Sequence, residues 1–403
     1  MSTKQSRTLR PASTRSISRR GFNRALVAGA ATAAMGPFVI ARAQSPVTVK
    51  LGHTQPLTGP SAAYGIRARD GALVAVEEIV KMGGFADEKG NRYVFEMSSD
   101  DMANDPKQAV TLFRQHATDP KVVASLGPTN SVGFLPAIPI AAQLGCLLIG
   151  NGSGAPVKAW NDWAYRVNTV SSSAIPVLMR TFVKVENLKR LAVIYDQTQD
   201  AQKGDAELAR SLAGELGYEV TAFEAMRAND QDFSPQLAKI KATRPDGIFV
   251  ACATGDGVKV VTQLRTFAME QPLATGFGSF LDPVYWDGTA GNVKGGYTWI
   301  AQDVNAATGT LKDWIAAYNK RFELEATAFS TYGYDSVWTV AEAIRRAGGA
   351  DRGAVKEVLK TLRFETRIGT SVTFKNPPGG DNLTPSVTVL QVTGRNESRT
   401  VKA

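Results

Sequence analysis

The 403-residue chain has two cysteines and two histidines. Two cysteines exclude a disulfide-stapled scaffold, in which several bridges stand in for a core. Cys146 opens the apolar run Cys146-Leu-Leu-Ile-Gly and Cys252 lies in Ile248-Phe-Val-Ala-Cys-Ala, so both read as buried strand positions rather than as a bonded pair. Two Cys and two His are too few for a conventional structural zinc site unless carboxylates help or all four converge; no metal and no cofactor is expected. Apolar runs are short as well. None reaches the ~18 residues of a spanning helix, which excludes a polytopic membrane protein. Motifs of catalysis are missing. No serine has glycine two residues away on both sides, Gly255-Asp-Gly257 has Val260 where a dinucleotide loop needs its third glycine, and no Gly-Lys-Ser/Thr closes a phosphate loop. The chain is not expected to be an enzyme.

The rest of the composition is that of a globular protein, 43% hydrophobic and 21% charged, with length enough for two domains. A net charge of +9 invites a nucleic-acid or anionic-membrane partner. Its location argues otherwise. Residues 1–43 hold eight of the 46 basic side chains and no acid, which leaves 38 basic against 37 acidic side chains in the remainder. Those first residues have the three-part layout of an export signal: a basic polar segment, an apolar stretch over 25–40, then Ala41-Arg42-Ala43 with small residues at a cleavage spacing. Ser18-Arg19-Arg20-Gly21-Phe22 resembles the twin-arginine signal. The expected mature chain begins at Gln44 in the bacterial periplasm, with no membrane insertion after cleavage and no nucleic-acid partner.

Past the signal, strands and helices alternate. Strands are expected over 47–54, 93–98, 122–127 and 146–150, with helices over 61–82, 105–116 and 132–144 between them. A second series has strands over 190–196, 219–224, 247–253, 273–278 and 295–301. Its helices are expected over 174–185, where Pro176 argues for a late start, and over 206–216, 234–243 and 258–268. Three helices, 310–322, 330–347 and 352–361, and two strands, 371–374 and 386–392, close the chain. The alternation predicts parallel sheet covered on both faces, in two α/β lobes.

Ligands of parallel α/β sheets bind off the carboxyl ends of the strands. The loops there are rich in Gly, Ser, Thr and Asn and poor in charge: Gln55–Gly65, Gly127–Gly133 and Gly150–Pro156 in the first series, Asp196–Asp205, Ala253–Gly257 and Gly276–Asp282 in the second. Each leads toward a helix N-terminus, and bare N–H groups with hydroxyls suit a carboxylate or other small anion. Asp100-Asp101 reads as a strand end followed by a helix cap rather than as an acid–base pair.

Several of these segments, in order, resemble the leucine/isoleucine/valine-type periplasmic binding proteins, the solute receptors of branched-chain amino acid ABC transporters. They are Val49-Lys-Leu-Gly-His-Thr-Gln-Pro-Leu-Thr-Gly-Pro-Ser-Ala-Ala-Tyr-Gly, Asp100-Asp-Met-Ala-Asn-Asp-Pro-Lys-Gln-Ala-Val, Leu126-Gly-Pro-Thr-Asn-Ser131, Val193-Ile-Tyr-Asp196, Asp232-Phe-Ser234 and Tyr334-Asp335-Ser-Val. The resemblance covers residues 47 to about 394. It implies two doubly wound parallel-sheet lobes, 44–168 plus 303–381 and 169–302 plus 382–403, joined by a three-crossover hinge near 167–171, 300–304 and 380–384. It implies that the late helices return to lobe 1 and the last strand to lobe 2, that a small solute is held in the cleft, and that a membrane permease is the partner of a monomeric receptor. Carried onto this sequence, Tyr64 stands where the first loop touches ligand, Ser131 matches a hydroxyl for the ligand carboxylate, and Gly152, Ser153 and Gly154 match the loop for the amino-acid head. The chain departs from the pattern in five places, the first being Asn104 and Asn130 at the positions of the family's disulfide. Ser153-Gly154 moves a hydroxyl by one residue, Asp200 stands where an aromatic is common, Ala253-Thr254 replaces aromatics of some members, and Gly278-Ser279 replaces an acid that meets the ammonium. Asp200 either pairs with a ligand amine or is a solvated turn residue. Aromatic carboxylates and short amides are therefore alternatives to branched-chain amino acids, and a ligand-sensor module is an alternative to an importer component.

Overall fold

The computed structural model describes residues 45–276, 279–301, 307–374, 380–384 and 387–402. The export-signal reading of residues 1–43, the second crossover beyond Ala301, and Gly278 lie outside them. The described chain is built on two seven-stranded sheets. The first runs Gly380–Asp381, Ala164–Arg166, Leu147–Gly150, Val122–Leu126, Val47–Gln55, Arg92–Asp101, Phe85–Ala86, and only the last of these is antiparallel. The second runs Glu397–Thr400, Thr388–Gly394, Tyr297–Ile300, Leu273–Thr275, Gly247–Ala251, Arg190–Asp196, Glu219–Met226. The last five are parallel; Thr388–Gly394 is antiparallel to both its neighbours, Tyr297–Ile300 and Glu397–Thr400. Parallel pairing dominates both lobes, as the alternation predicts, with antiparallel strands toward the sheet edges. In each sheet the strand order reverses beside the first strand of its series, which opens a crevice at the carboxyl ends there.

The strands are apolar on both faces because both faces are covered. In Cys146-Leu-Leu-Ile, Leu147 and Ile149 join one core, and Cys146 and Leu148 the other. In the second sheet Leu191, Val193 and Phe249 pack on one side, and Ala192, Ile194, Ile248 and Val250 on the opposite side. This is the period-two alternation of a strand buried twice over. Cys146 and Cys252 are both free and buried. The late helices Gly309–Phe322 and Ala328–Ala347 bring Leu311, Trp314, Tyr318 and Val337 into the core of the first sheet. Helices Ala62–Lys81 and Ala328–Ala347 cross at two glycines. A Cβ on Gly71 would lie 1.9 Å from the Ser330 carbonyl oxygen, and one on Gly333 1.9 Å from that of Ala68.

Helix starts differ most from expectation, and they differ where the site forms. Helix Ser171–Val185 begins ahead of Pro176 and accommodates it inside, although a proline that deep in a helix forfeits a backbone bond. Helices Asp200–Ser211 and Thr254–Thr266 begin about one turn or more before the expected 206 and 258. Their first turns, Asp-Ala-Gln-Lys-Gly-Asp and Thr-Gly-Asp-Gly, are made of loop-like residues. Ser234 is the first residue of helix Ser234–Ala242, and its hydroxyl donates to Asp232 Oδ1 at 2.6 Å. Short elements escaped the pattern altogether, among them helix Pro283–Gly288 and edge strand Glu397–Thr400.

Candidate functional site

The carboxyl ends of the two sheets enclose a narrow cavity. Its volume is about 60 Å³. The first sheet's side contributes Tyr64, Thr129, Ser131, Gly152 and Gly154; the second contributes Thr169, Ser171, Asp205, Cys252 and Ser279. Trp299 and Phe329 add aromatic wall. Helix N-termini converge here. Ser131 and Ser171 are the first residues of helices Ser131–Leu144 and Ser171–Val185, and Ser61 precedes helix Ala62–Lys81. Asp205 is the one charged residue among the described lining residues. An anion in the cavity would therefore be held by neutral hydroxyls and N–H groups at positive helix ends.

Two buried wall atoms have no hydrogen-bond partner among the described residues, one from each sheet's side: Thr129 Oγ1 and Asp205 Oδ1. Buried polar groups are almost always paired, so two such atoms facing one cavity mark where a ligand supplies the partner. Burial pushes the Asp205 carboxyl up to about 7, against the hydroxyl of Ser171, which holds it down.

The sequence-derived positions divide into three groups. Tyr64, Ser131, Gly152, Gly154 and Ser279 line the cavity. Tyr64 stacks on Phe329 at 4.4 Å and reaches across to the second lobe. Its hydroxyl accepts from the Thr254 N–H at 2.8 Å and from Thr254 Oγ1 at 3.0 Å, and lies 3.2 Å from Ser279 Oγ. Burial pushes this phenol up to about 12, so it stays protonated. A Cβ on Gly152 would fall 2.8 Å from the Thr129 carbonyl oxygen, so this wall needs glycine's small size, whereas one on Gly154 would fall 2.8 Å from Ser171 Oγ, which can turn aside. Ser153 and Thr254 are fully buried behind the wall: Ser153 Oγ is 2.9 Å from Ser131 Oγ, and Thr254 anchors Tyr64. Asp200 does not line the cavity. It is the exposed first residue of its helix and faces an outer groove beside Trp160 and Lys203, because the helix starts a turn earlier than expected and aims its next turn, with Asp205, at the cavity.

The supporting network was not visible in the sequence. The Gln55 carboxamide accepts from the Thr129 N–H at 2.9 Å and donates to Asn151 Oδ1 at 3.0 Å, tying two wall loops together. The same NH2 group lies 3.1 Å from His53 Nε2. That nitrogen must accept, so the His53 proton sits on Nδ1, toward Ser99 Oγ at 2.9 Å. Burial pushes His53 down to about 3 and keeps the ring neutral. Asp100-Asp101 is structural: Asp101 accepts from the Leu57 and Ala103 N–H groups, and Asp105 caps helix Pro106–Thr118. Among the described residues no cluster of His, Cys, Asp and Glu could hold a metal, and no helix is long and apolar enough to cross a membrane.

A family model described as periplasmic binding protein matches residues 48–396. A Leu/Ile/Val-binding protein homolog of Brucella melitensis is 28% identical over 350 residues, covering 85% of this chain and 91% of that protein. Among solved structures, the branched-chain amino acid transporter substrate binding protein of Streptococcus pneumoniae, in complex with isoleucine, aligns with a TM-score of 0.76 at 24% identity, over 89% of this chain and 100% of its own. A solute binding protein of an ABC transporter from Rhodopseudomonas palustris, in complex with 3,4-dihydroxy benzoic acid, aligns with a TM-score of 0.73 at 21% identity, over 85% of this chain and 93% of its own.

Proposed function

The chain belongs to the periplasmic binding protein family, and from that membership we propose that it is the solute-capturing component of an ABC importer. Its solute is a small carboxylate-bearing molecule, a branched-chain or related amino acid, held between the lobes and passed to a membrane permease. The names of the relatives support the class. The observation that carries the reading to a zwitterion is the polarity of the cavity. Its lobe 1 wall is made of hydroxyls and helix N-termini suited to a carboxylate, and its lobe 2 wall offers the unpartnered Oδ1 of Asp205 to an ammonium. Asp205 takes the place of the missing acid near Ser279, from a different helix.

In this reading lobe 1 is 44–168 plus 303–381, lobe 2 is 169–302 plus 382–403, and residues 1–43 direct export through the twin-arginine route to the periplasm, where the receptor works as a monomer. No catalysis takes part: ligand favours the lobes-together state because it touches both walls there. A second reading is an aromatic carboxylate. It is favoured by the Trp299 and Phe329 wall and by an Asp205 carboxyl that holds its proton near neutrality and can then donate to a phenolic hydroxyl.

A thermal-shift screen with leucine, valine, small amides and benzoate-type acids tests the proposal. Stabilisation that grows with ligand concentration is expected from at least one carboxylate. No shift with any of them contradicts it, and a response confined to benzoates selects the second reading.

A further inference from the structure

Ser153 is the hydroxyl that this chain carries one residue away from the expected position, and its surroundings give it a use. Ser153 Oγ and Ser131 Oγ are 2.9 Å apart, and either could donate. Arg166 and burial together decide which. The Arg166 Nη1 donates to the carbonyls of Ala155 at 2.7 Å and Ser153 at 3.0 Å, and lies 3.3 Å from Ser153 Oγ. A guanidinium has hydrogens and no acceptor, and for the fully buried Ser153 hydroxyl the Ser131 oxygen is the one acceptor among the described residues, so Ser153 keeps its oxygen toward Arg166 and gives its hydrogen to Ser131. Ser131 Oγ also accepts from the Ala155 N–H at 3.1 Å. Both lone pairs of Ser131 are then used, its own hydrogen is used by no described residue, and Ser131 lines the cavity.

The cation is fixed in place. Arg166 is 1% exposed, its Nε donates to Asp381 Oδ1 at 2.6 Å, and the Phe134 and Trp160 rings flank the guanidinium at 5.7 and 5.2 Å. Asn168 Nδ2 holds the Ser153 carbonyl at 3.0 Å from the other side.

We infer that Arg166 is a positioning residue for recognition of the anion: acting through Ser153, it turns the Ser131 hydroxyl hydrogen into the cavity and makes the lobe 1 wall prefer a carboxylate over a neutral isostere. The inference rests on the reading of that wall as the carboxylate pole. Arg166 itself does not touch the ligand. Its charge, two hydroxyls behind the cavity, polarises a donor that is already oriented, so no reorganisation is needed when an anion arrives.

Calorimetric titration of the full chain with matched probes tests this, L-leucine against L-leucinamide and benzoate against benzamide. Ser153→Ala and Arg166→Lys are each expected to lower the ratio of carboxylate to carboxamide affinity by about tenfold, the range of a lost hydrogen bond to a charged group. Ser153→Thr, which keeps the hydroxyl, is expected to preserve the ratio. Ser153→Ala removes one buried oxygen atom and keeps the test available if Arg166→Lys fails to fold. An unchanged ratio in Ser153→Ala, or an equal loss for both members of a pair, overturns the relay and leaves Ser153 structural. An unsubstituted protein that binds neither carboxylate overturns the reading of the pole itself, and the relay with it.

Discussion

At the scale of single residues, the cavity depends on which atoms of its wall are left for a ligand. Ser131→Ala is expected to weaken a carboxylate ligand by about 1–3 kcal/mol in a calorimetric titration, since an ionised partner loses a donor. Asp205 carries a pH signature. Its carboxyl is held up at about 7 by burial, above the ordinary value of ~3.9 of an unfolded chain. The folded state therefore keeps the proton longer than the unfolded state. Stability from this group is complete below pH ~4 and is lost as pH rises toward 7. Asp205→Asn is expected to flatten that part of the melting-temperature profile in the empty protein, and to abolish any gain in affinity for an amine ligand as pH rises through 7. A profile unchanged by the substitution removes Asp205 from both roles. Tyr64, Ser131, Gly152 and Gly154 were legible because each lies in a segment just after a strand, in a loop or the first turn of the next helix, and those segments resemble the family's ligand loops. Asp205 was not, because it lies in a stretch of small and polar residues with no apolar spacing to say which way the helix turns.

Elements were legible in proportion to how much apolar surface they bury. The inner strands and the long helix Ala328–Ala347 announce themselves by periodicity, whereas the edge strand Glu397–Thr400 buries little and leaves no pattern. Helix N-termini at the cavity were read late for a physical reason: first-turn N–H groups have no partner within the helix, so the residues there are selected for what the loop binds rather than for propensity. Two element-level effects are measurable by denaturant unfolding. Gly333→Ala, which places a methyl against the Ala68 carbonyl, is expected to cost about 1–3 kcal/mol through forced separation of the two crossing helices. Asp105→Ala removes the side chain that accepts from the Lys107 and Gln108 N–H groups and is expected to cost about 1 kcal/mol. Near-zero effects in both would mean that helix packing and capping here are more adaptable than the contacts suggest.

For the whole molecule, the two sheets are held together by more than the cavity. Arg67, on the helix that also carries Tyr64, pairs with Asp282 of the second lobe at 3.2 Å, and both side chains are buried. Burial pushes the Asp282 carboxyl up while the Arg67 charge holds it down. Arg395 reaches both Asp287 and Glu325, joining the end of the second sheet to the helices packed on the first. Asp282→Ala leaves the Arg67 guanidinium unpaired wherever the lobes meet. A charge pair broken on one side costs about 3–5 kcal/mol when it stays buried, and opening the cleft relieves it, so the loss is expected to appear as weaker ligand affinity and a larger radius of gyration in small-angle scattering. The central claim is that the cavity takes a small carboxylate-bearing amino acid by its two poles. Titration calorimetry of the full chain with leucine, isoleucine and valine tests it most directly. One-to-one binding that Ser131→Ala and Asp205→Asn each weaken is the expected result; absence of binding, or binding indifferent to both substitutions, would contradict it.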